Sequence, residues 1–185
     1  MNSLIAFLER FASAKRVLFF FVLTNLVFGI MLFYTIPRVV LFSDGMPVLD
    51  TMPTGYDVTY VQTLFDSLGE AGRHNYLNVQ IPVDLVYPLL FFVCYTLLAV
   101  YLMKHTNRLY TAWFALCFLP IIAAIADYAE NISIINLLKS YPDLSENLIK
   151  SAKLFTIIKS SVTTVYFIGL FVLVAIWILR KLRSI

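Results

Sequence analysis

Four stretches of this chain are long and apolar enough to cross a lipid bilayer, and no other feature constrains its fold as strongly. A transmembrane helix needs roughly 20 consecutive apolar residues to pass a hydrocarbon core about 30 Å thick. Residues 17–36, ending ahead of Pro37 and Arg38, meet this requirement. So do residues 81–103, with Pro82 in the first helical turn, where a missing N–H leaves no bond unmade. A third stretch, 109–131, is apolar to about Ala126 and continues through a polar patch to Leu138, and a fourth covers 154–179. Val17 to Tyr34 is too long for a signal peptide and lacks a small-residue cleavage site, so it reads as a retained span. The expected fold class is all-α: a four-helix transmembrane bundle forming a single membrane domain over residues 1–185.

Composition supports this reading. Of 185 residues, 61% are hydrophobic and only 14% charged, against roughly a quarter charged in a typical soluble domain. The surplus apolar surface must face lipid. A net charge of +3 gives no basis for binding nucleic acid. Cys94 and Cys117 both lie in apolar segments and form no CxxC pair, which excludes thiol–disulfide electron transfer and makes them small buried hydrophobes. No cofactor or metal is implied. His74 and His105 fall on opposite sides of the bundle and cannot share an ion.

The positive charges indicate an orientation. Arg10, Lys15, Arg16, Lys104, Arg108, Arg180, Lys181 and Arg183 gather at one end against the single acid Glu9, whereas Asp44, Asp50, Asp57, Asp66 and Glu70 gather at the other. An excess of Lys and Arg marks the cytoplasmic side, so both termini of a multi-pass protein with four spans are expected there. Residues 1–15 repeat Leu4, Phe7, Leu8 and Phe11 at helical spacing and read as a segment lying in the headgroup region. Residues 38–80 read as a long extracytoplasmic loop. Within it, Asp57 is a helix N-cap and Gly69 a stop, and Val58, Val61, Leu64, Phe65 and Leu68 share the face of a short amphipathic helix over the mouth of the bundle.

Asp84, Asp127, Glu130 and Lys159 are the exceptional residues, because a charge within a span costs roughly 3 kcal/mol or more and usually turns inward. Counted at 1.5 Å per residue from the basic residue at the other end of each helix, all four fall in one layer, roughly 28–33 Å up, at the outer edge of the hydrocarbon. Asp127, Glu130 and Asn131 share a face of the third span; Thr156, Lys159, Thr163 and Tyr166 form a stripe on the fourth; Asp84, Tyr87, Phe91 and Tyr95 share a face of the second. In the first span, the Asn25 carboxamide is expected to seek a partner on another helix.

These faces predict a pocket opening outward, with Asp84, Asp127, Glu130, Asn131 and Lys159 at its polar end and Tyr87, Tyr95 and Tyr166 in its wall. Arg73 and His74 are expected to close it from the loop. The occupant expected is a lipid-like or amphipathic small molecule, bound or processed. A subunit of a larger membrane assembly or homo-oligomer, with its acids fully paired internally, is the second reading. Proton or cation translocation is the third, weakened by the uniformly apolar residues beneath Asn25, Thr163 and Tyr166. Sharper enzyme patterns fail: no GxGD context surrounds Asp84 or Asp127, and Lys159, Ser160 and Ser161 are adjacent helix residues that do not face one another.

Overall fold

The computed structural model describes residues 2–183, and among them it contains helices and turns but no strand. Four helices are long and apolar enough to span a membrane: α2 (Ala14–Val40), α3 (Val58–His105), α4 (Ala112–Ser140) and α5 (Glu146–Leu182). A short α1 (Asn2–Phe11) precedes them. The start of α1, the end of α5 and the turn 106–111 lie at one end of the bundle, here the terminal end. The connection 41–57 and the α4–α5 turn lie at the distal end. α2 packs mainly on α3, α3 on both α4 and α5, and α4 and α5 form the most extensive pair.

The helices are longer than a bilayer requires. The 37 residues of α5 would extend about 55 Å at 1.5 Å per residue. The excess builds a cap at the distal end with a core of its own, in which Val39, Val48, Leu49, Val61, Leu64, Phe65, Tyr76, Ile134, Leu137 and Ile149 are all fully buried. A second core fills the terminal half, centred on Phe91, Cys94, Val100, Met103, Cys117, Tyr166 and Leu173. The third and fourth helices therefore overrun the expected 109–131 and 154–179 at their distal ends. The irregular connection shrinks from 38–80 to 41–57, interrupted by the single turn Leu49–Thr51. A hydropathy window ends where charge appears; these helices continue because their inward faces stay apolar.

Proline shapes the two longest bends. The ring removes an N–H and clashes with the carbonyl four residues earlier, and the chain responds with a widened π-turn ahead of each Ile-Pro pair: Met31–Thr35 before Ile36-Pro37, and Tyr76–Gln80 before Ile81-Pro82. The two π-turns face each other, and Thr35 Oγ1 donates to Gln80 Oε1 across them. Pro82 thus sits in the first turn of the regular α-helix that resumes at Ile81 after the π-turn, within the longer α3. Pro88 deprives the Asp84 carbonyl of its helical donor, and the helix breaks over Leu85–Val86. Further out, Asp57 caps α3 by accepting from Tyr60 N at 2.7 Å, and Gly69, at φ 59°, turns the first leg of the helix back onto the cap. That left-handed backbone costs glycine little.

α1 divides its apolar residues between two surroundings. Ile5 and Leu8, with Ala12 just beyond the helix, pack into the terminal core, while Leu4, Phe7 and Phe11 face outward. The single stripe Leu4–Phe7–Leu8–Phe11 expected from the sequence is therefore split. Glu9 ties the segment to Lys104 at 3.3 Å, with Tyr110 Oη donating to the same carboxylate at 3.2 Å.

Candidate functional site

Between the two cores lies a layer of polar side chains. Asp127 and Glu130 stand one turn apart on α4, and Lys159 reaches both from α5, pairing with Asp127 Oδ1 at 3.1 Å and with Glu130 Oε2. The α4–α5 contact sets this geometry, since it brings the i, i+3 face of one helix against the polar stripe of the other. Thr156, one turn before Lys159, donates to Glu130 Oε1 at 2.6 Å. Glu130 and Thr156 are wholly buried, and the Lys159 side chain keeps 18% of its surface exposed. One ammonium thus serves two carboxylates.

Asp84 is different. It sits at the Pro88 break of α3, is 3% exposed, and its Oδ2 has no hydrogen-bond partner among the described residues. The fully buried Asn131 carboxamide lies close enough to interact with the Asp84 side chain, though neither of its polar atoms makes a hydrogen bond of full geometry. Buried polar groups are rarely left this way, and each exception calls for an explanation.

Asp84, Asp127 and Lys159 line a cavity of about 320 Å³. Its walls are Phe28, Met31, Leu32 and Ile36 of α2, Tyr87, Pro88 and Phe91 of α3, Ala123 and Ala124 of α4, and Ser160 and Thr163 of α5, with Asp50 and Thr51 closing the distal side. Tyr87 stacks between Phe28 and Phe91, with centroids 5.6 and 5.9 Å away. Beneath Phe91, the rings of Tyr95, Tyr166 and Phe167 fill the bundle, and Tyr166 Oη donates to the Tyr95 carbonyl at 2.7 Å. Tyr95 and Tyr166 therefore form the packed layer under the cavity and do not line its wall.

Arg73 and His74 do not close the cavity. Arg73 lies over the Tyr141 ring at 4.0 Å and donates to the Phe65 carbonyl at 2.6 Å, inside the cap, and His74 is exposed. The distal wall comes from Asp50, which the sequence does not separate from the other acids of its segment. Asp50 accepts from Tyr76 Oη at 2.7 Å and from Gln80 Nε2 at 3.1 Å, so the π-turn of α3 fixes the loop over the cavity. Tyr56, from the same connection, is buried; loss of water raises its phenol above the ordinary value, and it stays a neutral hydroxyl. In α2, Thr24 donates across to the Leu90 carbonyl at 3.2 Å, and Asn25 donates back to the Phe21 carbonyl at 2.7 Å while its side chain also lies against the Tyr95 hydroxyl of α3.

Exposed apolar side chains continue past the polar layer at Ile132 on α4 and Leu154 on α5, before polar side chains follow at Asn136 and at Lys153. Five residues, roughly 7 Å of helical rise, separate Asp127 from Ile132 and Lys159 from Leu154. Compared with known proteins, the chain matches no family model, no curated protein and no solved structure.

Proposed function

We propose that the chain is a multi-pass membrane protein with cytoplasmic termini, and that its intramembrane cavity binds an amphipathic, lipid-like small molecule. The excess of Lys and Arg at the terminal end supports the orientation, and it leaves the distal cap on the extracytoplasmic side. The ligand reading rests on one observation: the cavity is charged at one end, aromatic and aliphatic along the rest, and sealed beneath by packed rings. Binding sites for small molecules have this make-up, a mostly apolar wall with a few convergent polar groups, and volumes from about 300 Å³ upward. The ring layer below Phe91 also disfavours a path for ions through the bundle.

A ligand bound to the folded state alone stabilises it by about 2.7 kcal/mol at one hundred times its dissociation constant. Thermal denaturation of the detergent-purified protein against a panel of amphipathic small molecules is therefore expected to raise the melting temperature by several degrees for some members. Ala124→Phe, which fills the cavity with a ring, is expected to remove that response. A panel that shifts the wild type and Ala124→Phe equally would contradict the reading.

A further inference from the structure

The arrangement of charge around the cavity selects among amphiphiles. Four carboxylates, Asp50, Asp84, Asp127 and Glu130, lie within electrostatic reach of the single Lys159 ammonium. Asp127 and Glu130 occupy that ammonium by direct contact. Asp50 is held by the Tyr76 hydroxyl and the Gln80 amide. Asp84, only 3% exposed, lines the same cavity, and its Oδ2 has no hydrogen-bond partner among the described residues. A buried carboxylate without a partner is costly, and a cation removes that cost. An anionic headgroup would meet the same excess of negative charge and a lysine already engaged twice.

The cavity also has an aromatic side suited to an organic cation. Phe28, Tyr87 and Phe91 present a run of rings next to Asp84, and ring faces attract ammonium groups, more strongly where water is excluded. A bare metal ion fits less well, since among the described residues no three His, Cys, Asp or Glu side chains stand close enough together to hold one. The route of entry follows from the helix order. α2 packs mainly on α3, yet α2 and α5 both contribute to the cavity wall, and the α2 wall residues Phe28 and Leu32 are 42% and 45% exposed on the apolar belt.

We propose that Asp84 is the counter-ion for the ammonium group of an alkylamine-like amphiphile, which enters sideways from the lipid between α2 and α5 and lays its tail along Phe28, Met31 and Leu32. This inference rests on the pocket reading above and adds the charge of the ligand and its anchoring residue. An ammonium lipid headgroup and a free amphiphilic amine share this chemistry.

The test uses the full chain in alkyl maltoside micelles, which contain no ammonium. Three photoreactive probes with one common tail, ending in an amine, an alcohol or a carboxylate, are compared for labelling of the cavity. The amine is expected to label at least tenfold more efficiently than the other two. Asp84→Asn is expected to abolish that preference, Asp84→Glu to retain it, and Asp57→Asn, on the exposed cap, to leave it unchanged. Retention in Asp84→Glu separates a lost charge from a lost fold. Competition by phosphatidylethanolamine supports a headgroup as the natural source, and competition only by free alkylamine supports a soluble amphiphile. Equal labelling by amine and alcohol, or a preference that survives Asp84→Asn, overturns the charge assignment while leaving a pocket. Failure of all three probes to label the cavity overturns the pocket reading as well.

Discussion

Replacing Lys159 by Met is expected to be the most damaging single change in the polar layer, lowering stability by about 3–5 kcal/mol. The magnitude follows from what is left behind. Asp127 and Glu130 are 6% and 0% exposed, and Lys159 is the cation in contact with either. Removing it strands two adjacent carboxylates in an apolar surrounding, one of them still held by Thr156. The loss should be recovered in large part when Asp127→Asn and Glu130→Gln are added, because a neutral triad of similar shape has no uncompensated charge. Thermal denaturation in one micelle composition measures both steps. The exposed pair Glu9–Lys104, with side chains 30% and 47% exposed, provides the contrast: breaking it with Glu9→Gln should cost about 0–1 kcal/mol. A Lys159→Met protein as stable as the wild type would show that the acids are already neutral or hydrated without it.

The second large effect is expected from Phe65→Ala in the distal cap, at about 3–5 kcal/mol. Phe65 is wholly buried in the distal core, its ring packs edge-on against Tyr141, and its carbonyl accepts from Arg73. Deleting the ring opens a cavity beneath the first leg of α3 and loosens the connection that carries Asp50. The variant should melt lower and be cleaved faster within 41–57 under limited proteolysis. Were the first leg of α3 merely resting on the membrane surface, with no core of its own, the same substitution would leave melting and cleavage unchanged.

How much of this architecture can be read from the chain depends on which physical rule applies. The four crossings are legible because bilayer thickness sets a length that Val17–Ile36 and its three counterparts meet without reference to one another. The meeting of Asp127, Glu130 and Lys159 is legible too, since helical rise and periodicity place them at one height and on facing stripes. The cap is not legible. Ile134, Leu137 and Ile149 are ordinary apolar residues among polar neighbours, and only packing against Leu64 and Phe65 makes them a core. Asp50 is one of five acids in its part of the chain, and its role depends on Gln80 and Tyr76, whose positions come from the π-turn ahead of Pro82. The repeated Ile-Pro pairs were the available signal for those breaks. Arg73 shows the opposite failure: a cation near the mouth invites a capping role, yet an aromatic face and a free carbonyl inside the cap hold it instead.

In the proposed site, Lys159 pairs with Asp127 and Glu130, and Asp84 is kept unpaired for a ligand. Melting curves of Asp84→Asn, Asp127→Asn and Glu130→Gln, measured side by side in ligand-free micelles, test this assignment most directly. A residue held unpaired for binding is maintained at the expense of stability, so Asp84→Asn should melt at or above the wild-type temperature. Asp127→Asn and Glu130→Gln each weaken a paired, buried cluster and should melt below it. Equal destabilisation by all three would make Asp84 a structural member of one network and would contradict the account.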